Sequence, residues 1–271
     1  MPETAYDVAL PAGGRLDHRY GDNVHLLSDP WGLTLSARLS VPEVDTRDAL
    51  PLLDLAYHHL LAGAVEQLAT RPVDLETRMT AGEPRARLVG TLIDPDQDVV
   101  IVDVARGGML PAQLLHRALM TLIDPARIRV DHIYLQRLSD PKTGAVTGVG
   151  HSGSKIGGPV NGATVLVPDP MAATGSSLAY VLDVYRALDG GPPARIVPMH
   201  LMVTPEYLAK VARDAPDVAV YALRLDRGLS PEDVLATVPG ERWDEERGLD
   251  EHSYIVPGAG GVGELLNNAW V

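Results

Sequence analysis

One stretch of the sequence, the residues DVVIVDVA at 98–105, constrains the fold more than any other. It is a continuous β-branched run, a pattern typical of a β-strand that is covered by other structure on both faces. A segment with helical spacing follows at 108–122, and apolar runs alternate with helical patterns through much of the chain. This alternation predicts an α/β fold in which a mostly parallel sheet is flanked by helices.

The predicted elements cover most of the 271 residues. Strands are predicted at 31–41, 73–80, 98–105, 126–138, 164–169, 194–203 and 218–225. Helices are predicted at 46–70, with an irregularity near Pro51, and at 108–122, 176–189 and 205–215. Residues 1–30 are predicted to form a loop-rich, peripheral N-terminal extension, so that 31–271 forms a single domain.

Composition excludes several functional classes. The chain has no cysteine, which rules out disulfides, cysteine metal sites and thiol catalysis and fits a cytoplasmic enzyme. It has no apolar run long enough for a membrane span and no signal-peptide pattern at its start. The formal net charge of -13 argues against a nucleic-acid-binding surface, which needs clustered Lys and Arg. We therefore expect neither nucleic acid nor membrane as a partner.

The loop after Asp169 has the properties of a phosphate site. The strand at 164–169 delivers Asp169 to the carboxyl edge of the sheet, where ligands bind in open α/β folds. The residues from 172 to 175 are small, so a ligand can approach the backbone closely. Ser176 or Ser177 is expected to cap the next helix, whose free N–H groups and dipole favour an anion. Asp169 itself is better suited to accept hydrogen bonds from sugar hydroxyls.

The complete string VLVPDPMAATGSS at 165–177 resembles the phosphoribosyl-pyrophosphate (PRPP) loop of the type I phosphoribosyltransferases, in the form found in the uracil phosphoribosyltransferase family. Three further segments extend the resemblance. VARGGML at 104–110 is similar to the family's Arg-Ala-Gly segment, and RGLDEHSYIVPGAGGVGE at 247–264 to its uracil-recognition segment. PDVAVYALRLDRGL at 216–229 is similar to the strand before that segment. The similarity extends, with gaps, from about residue 24 to about 266.

The resemblance implies a type I phosphoribosyltransferase fold with a flexible hood loop at 139–163 and a small base-recognition segment at 250–266. It implies transfer of phosphoribose from PRPP to uracil, which yields uridine monophosphate and pyrophosphate in pyrimidine salvage. Mg²⁺ is expected to arrive with PRPP, without dedicated protein ligands. A homodimer or higher homo-oligomer is expected from the family.

The resemblance also assigns roles to residues of this chain. Arg106 is expected to stabilise the leaving diphosphate and Asp169 to hold the ribose hydroxyls, which makes them the two candidate catalytic residues. The expected PRPP-binding residues are Arg106, Gly107, Arg137, Asp169, Pro170, Met171, Ala172, Ala173, Thr174, Gly175, Ser176 and Ser177. The expected acceptor-binding residues are Tyr254, Ile255, Gly260, Gly261 and Val262. Lys155 is a further candidate for a phosphate contact, although a solvated loop lysine is the simpler interpretation.

The chain departs from the family pattern in three places. Leu135 takes the position of a family arginine, with Arg137 two residues further on as its candidate replacement. Gly261 stands where the family has an aspartate that contacts base and PRPP. The segment 230–249 is an apparent insertion. Three functions therefore remain open: a uracil enzyme with altered contacts, a phosphoribosyltransferase for a different heterocyclic or small-molecule acceptor, and a PRPP- or nucleotide-binding regulator with weak or no catalysis.

Overall fold

A computed structural model describes residues 14–139 and 146–269. Its strands are β1 (Val24–Leu26), β2 (Thr70–Glu76), β3 (Arg87–Ile93), β4 (Val99–Ala105), β5 (Ile128–Ser139), β6 (Val146–Lys155), β7 (Thr164–Pro168), β8 (Met171–Ala172), β9 (Arg195–Val203) and β10 (Val220–Leu225). Its α-helices are α1 (Pro30–Arg38), α2 (Thr46–Gly63), α3 (Met109–Leu119), α4 (Ser176–Arg186), α5 (Pro205–Asp214), α6 (Glu232–Leu235) and α7 (Val262–Asn267). None of these helices is long and apolar enough to span a membrane.

The main sheet has the strand order β1-β10-β9-β7-β4-β5-β6, with β8 paired to β9. Every pairing is parallel except that of β5 with β6. One apolar cluster packs α4 and α5 against one face, and a second packs α1, α2 and α3 against the other. Because both faces are covered, the central strands β4, β7 and β9 are almost fully buried. The predicted α/β architecture is confirmed.

The predicted strand at 31–41 is wrong, because this segment contains helix α1. The Asp29 carboxylate accepts hydrogen bonds from the N–H groups of Trp31 and Gly32, and Pro30 occupies the first helical turn. An acidic N-cap followed by proline is a strong helix start signal, and here it outweighs the partial alternation of apolar residues. The predicted helix at 46–70 is present as α2, which contains Pro51 and ends at Gly63.

The segment predicted as a strand at 73–80 pairs outside the main sheet. Strand β2 forms an antiparallel hairpin with β3, which the sequence analysis did not predict. Leu75, Leu88 and Leu92 lie on one face of this hairpin and all three are exposed. The isolated ribbon thus carries an unpartnered apolar face within the described part of the chain.

The described part of the predicted N-terminal extension, residues 14–30, packs into the domain and is not peripheral. Strand β1 forms the edge of the main sheet beside β10, and Leu16 and Tyr20 are buried. Tyr20 also contacts the 230–249 segment: its hydroxyl donates to the Glu246 carboxylate, and its ring packs edge-on against Trp243 at 4.9 Å. The two segments that the sequence analysis treated as additions are therefore packed against each other.

The predicted hood loop at 139–163 contains regular structure. Strand β6 pairs with the long strand β5, with an irregularity in register next to Leu135. Residues 140–145 of the predicted hood lie outside the described part of the chain. Strand β6 was not predicted because its sequence is rich in Gly and Ser. These residues disfavour strands unless a neighbouring strand supplies the hydrogen bonds.

Candidate functional site

A cleft of about 530 Å³ opens where the carboxyl ends of β4 and β7 meet the C-terminal segment. It is lined by the predicted site residues Arg106, Gly107, Asp169, Pro170, Met171, Ala173, Ser177, Tyr254, Ile255, Gly260, Gly261 and Val262. A smaller cavity of about 80 Å³ adjoins it, with Asp169 and Met171 common to both. The smaller cavity adds Ala172, Thr174, Gly175 and Ser176. Three distant parts of the chain thus converge on one space.

Arg137 is the one predicted site residue whose side chain is not described. Its backbone pairs with Val149 on β6, and its predicted role stays a prediction. Its neighbours Leu135 and Gln136 line the cleft. Lys155 is exposed and pairs with His132, and it is not among the residues lining the cleft.

The loop after Asp169 is held in place by backbone hydrogen bonds to β9. The Asp169 N–H donates to the Met199 carbonyl at 3.2 Å, and the Pro170 carbonyl accepts from the N–H groups of Leu201 and Met202. Gly175 then adopts a left-handed conformation with φ of 78° and turns the chain into α4. The expected cap from Ser176 or Ser177 is wrong: the N-cap residue is Gly175, which has no side chain, and the Ser176 N–H donates to Thr174 Oγ1 at 3.4 Å. The N–H groups of the first turn of α4 offer an anion site beside the smaller cavity.

The buried side chain of His200 holds this loop through a hydrogen bond to its backbone. His200 is 2 % exposed, and its Nδ1 lies 2.5 Å from the Asp169 carbonyl while its Nε2 lies 2.7 Å from the Tyr207 hydroxyl. Because a carbonyl can only accept, Nδ1 carries the proton and Nε2 accepts from the tyrosine. Burial lowers the pKa of His200 to about 4, so the ring is neutral at physiological pH. This role of His200 is not recognisable from the sequence, because an isolated histidine in a strand carries no local signal.

This buried histidine makes the fold sensitive to acid. Since the folded-state pKa is about 4 and the unfolded value is 6.5, the unfolded chain binds one more proton between these values. Stability from His200 is therefore present above pH 6.5 and is lost as pH falls towards 4. We expect the free energy of unfolding of the wild type to fall by about 2 kcal/mol more than that of His200→Gln between about pH 7 and about pH 5. Denaturant titrations at both pH values measure this; equal pH dependence in both proteins would contradict it.

Arg106, which follows β4, is held by α7 and by the residues just after it. The Arg106 Nη2 donates to Glu264 Oε1 at 3.0 Å, and its Nη1 donates to the Ala269 carbonyl at 2.9 Å. Both partners of the ion pair are about one-third exposed, on the side of the cleft. The peptide bond between Ala105 and Arg106 is cis. Glu264 is a second residue that the sequence analysis did not single out.

The two glycines after Arg106 differ in their surroundings. A Cβ on Gly108 would lie 2.8 Å from the backbone N and O of Val104 and 2.9 Å from the Pro168 carbonyl. A Cβ on Gly107 would meet only ordinary contacts, at 3.6 Å from an Asp169 oxygen and from Pro170. Gly108 is thus required by the packing of β4 against β7, whereas Gly107 borders open space in the cleft.

We expect Gly108→Ala to destabilise the fold by about 2 kcal/mol, because the new methyl group forces backbone apart. Gly107→Ala is its matched control and should leave the free energy of unfolding nearly unchanged, while weakening binding of PRPP in the cleft. Denaturant unfolding and PRPP calorimetry on both variants check this. Equal stability of the two variants would contradict the conclusion that Gly108, but not Gly107, is required by the packing of the backbone.

The C-terminal segment that was predicted to bind the acceptor is held in place by residues of β10 and just after it. Arg224 donates from Nε and Nη2 to the Asp226 carboxylate at 2.6 and 2.8 Å, and both residues are buried. Asp226 accepts from the Gly258 N–H at 2.8 Å, while Arg224 donates to the Gly258 carbonyl at 3.0 Å. Both backbone groups of Gly258 are therefore held, which positions Gly260, Gly261 and the start of α7 at the cleft. In the sequence, Arg224 and Asp226 at the end of an apolar run were the signal that could have indicated this buried ion pair.

The chain is similar in sequence to a family of known proteins. The family model described as "Uracil phosphoribosyltransferase" matches residues 41–241. The uracil phosphoribosyltransferase of Variovorax paradoxus (strain S110) is 29% identical over 247 residues, 90% of this chain and 97% of that protein. The enzyme of Rhodococcus jostii (strain RHA1) is 32% identical over 203 residues, 74% of this chain and 77% of that protein.

A solved structure also matches over almost the whole chain. The AQ2163 protein from Aquifex aeolicus superimposes with a TM-score of 0.68 at 18% sequence identity, which covers 92% of this chain and 99% of that one. At this identity the likeness concerns the fold alone.

Proposed function

Because this chain belongs to the uracil phosphoribosyltransferase family and is a pentosyltransferase, we propose that its cleft transfers 5-phosphoribose from PRPP to uracil. The observation that carries the proposal is the convergence of three segments on one cleft: the Asp169 loop, the Arg106 turn and the Gly260–Val262 loop. They provide, in order, a site for ribose phosphate, a cation for diphosphate and a backbone edge for a planar base. Each role is a proposal for these residues.

In the proposed reaction, the groups that line the cleft stabilise the charges that develop on the substrate. As pyrophosphate departs, positive charge develops at the anomeric carbon and negative charge on the diphosphate. Arg106 offers a guanidinium to the diphosphate, and Asp169 fixes the ribose through its hydroxyls. The free N–H groups at the start of α4 hold the 5′-phosphate. Catalysis then rests on positioning the two substrates, without a covalent intermediate on the protein.

The cleft is compatible with a magnesium ion bound together with PRPP. No cluster of three or more metal-binding side chains occurs among residues 14–139 and 146–269, but Mg²⁺ is commonly held by one or two carboxylates plus substrate phosphates and water. Asp169 lines the cleft and would supply such a carboxylate. The ion, when bound, neutralises charge on the diphosphate. Pyrophosphate release that is independent of added Mg²⁺ and unaffected by a chelator would contradict this.

A transfer assay tests the proposed function. Purified protein with PRPP, Mg²⁺ and uracil is expected to release pyrophosphate and form uridine monophosphate in equal amounts. Other pyrimidine and purine bases are assayed alongside at saturating PRPP, because Gly261 lacks the acidic side chain of the family pattern. Turnover of another base but not uracil would establish the alternative, a phosphoribosyltransferase with a different acceptor. PRPP binding without any turnover would establish the regulator instead.

We also propose that the protein acts as a homo-oligomer in the cytoplasm. The apolar face of the β2–β3 hairpin supports the oligomer, since an isolated two-stranded ribbon is marginal in water. Sedimentation equilibrium is expected to show a dimer or larger species, and Leu88→Glu is expected to weaken it. A monomeric wild type would contradict the proposal. Cell fractionation tests the location.

A further inference from the structure

Glu264 places a carboxylate next to the acceptor loop. It lies in the first turn of α7, and its side chain folds back over Gly261, so that a Cβ on Gly261 would lie 3.0 Å from the Glu264 Cδ and closer still to Oε2. The carboxylate therefore fills the space that a side chain at 261 would take. Although Gly261 has no acidic group of its own, the cleft holds one at that point.

The same Glu264 carboxylate also forms an ion pair with Arg106. Its Oε1 accepts from the Arg106 Nη2 at 3.0 Å, and the pair is partly exposed to the cleft. A partly exposed ion pair is weak, whereas a guanidinium binds a phosphate group through two parallel hydrogen bonds. A diphosphate that binds Arg106 should therefore displace Glu264 from it. The released carboxylate then remains beside Gly261 without its cationic partner.

We propose that Glu264 is the specificity-determining acid of the acceptor subsite. When PRPP takes Arg106, the Glu264 carboxylate turns to the acceptor and accepts a hydrogen bond from a ring N–H, in place of the side chain that Gly261 lacks. This rests on the proposed function of the cleft. Glu264 favours neutral heterocycles that present an N–H donor at this edge, and it repels acceptors that carry a carboxylate there.

The Glu264→Gln variant separates this role from a structural one. Loss of the negative charge leaves Arg106 more available, so PRPP is expected to bind about 3-fold more tightly by calorimetry. The KM for the acceptor is expected to rise by about 10-fold or more, because a charge-assisted hydrogen bond is lost. Glu251→Gln, an 87% exposed glutamate in the same segment, is the matched control and should change neither value. Disruption of the helix would instead weaken binding of both substrates.

A second variant moves the acid back to position 261. Gly261 has a φ of -82°, so a side chain is sterically allowed there once Glu264 is shortened. Glu264→Ala is expected to raise the acceptor KM by about 10-fold or more, and the combined Gly261→Asp and Glu264→Ala variant to recover most of that loss.

The outcomes of these assays are distinct. An unchanged acceptor KM in Glu264→Gln, weaker PRPP binding in that variant, or no recovery in the combined variant would each overturn the role of Glu264 alone. If the wild type transfers phosphoribose to no heterocycle, the proposed function fails, and the role of Glu264 fails with it.

Discussion

The Asp169→Asn variant is expected to lose about 100-fold or more in kcat/KM for PRPP while keeping its fold. The carboxylate is proposed to accept hydrogen bonds from the ribose hydroxyls, and bonds to a charged acceptor contribute about 1.5–3 kcal/mol each. Asparagine keeps the shape but lacks the charge and one of the two acceptor oxygens. The loop itself is held by backbone atoms of Asp169, which bond to Met199 and His200, so it should survive the substitution.

Steady-state kinetics with varied PRPP, together with thermal unfolding, measure this effect. Asp217→Asn is the matched control, because it removes the same charge from a surface carboxylate, 74% exposed, that pairs with Arg186. The control should retain wild-type kinetics. A loss of less than about 3-fold in Asp169→Asn would show that the carboxylate does not hold the ribose in the reaction.

The Glu246→Gln variant is expected to lower the free energy of unfolding by about 3–5 kcal/mol. Glu246 and Arg227 form an ion pair at 2.7 Å whose side chains are both fully buried. Glu246 also accepts from the Gly240 N–H at 2.8 Å and from the Tyr20 hydroxyl. Removal of its charge breaks this buried ion pair from one side, and breaking a buried pair by loss of one partner's charge is costly.

Differential scanning calorimetry is expected to show a fall in Tm of about 10 °C, given that 1 kcal/mol corresponds to about 2–4 °C in a domain of this size. Glu245→Gln, the adjacent residue, is the matched control. Glu245 is 51% exposed and pairs with Arg242 on the surface, where such pairs contribute about 1 kcal/mol or less. Equal effects from the two substitutions would mean that the buried pair does not hold the 230–249 segment in place.

The buried pair also explains why this segment was difficult to assign from sequence. Arg227 donates to the carbonyls of Leu235 and Thr237, so the chain wraps around the guanidinium. A charged residue suggests a solvated surface, and charged residues are rarely fully buried unless they are paired. Here Arg227 is paired with Glu246, which also accepts from the Tyr20 hydroxyl, and this pairing compensates the burial of its charge.

The prediction of the sheet was successful where the pattern was local. The run at 98–105 is β4, and the apolar runs before Asp169 and at 194–203 are β7 and β9, because a buried strand needs a continuous apolar sequence. The prediction at 31–41 failed because a helix cap outweighed partial alternation. Strand β6 was missed because its hydrogen bonds come from β5 and its own residues favour no strand.

The sequence by itself determined the parallel sheet, the Asp169 loop and the glycine-rich loop at 258–263, since each depends on residues that are neighbours in the chain. The tertiary structure alone decided that Glu264 contacts Arg106, that His200 supports the Asp169 loop and that Glu246 neutralises Arg227. These contacts join segments that are distant in sequence. Local propensity fixes backbone conformation, whereas the pairing of distant charges depends on how the packed elements bring their side chains together.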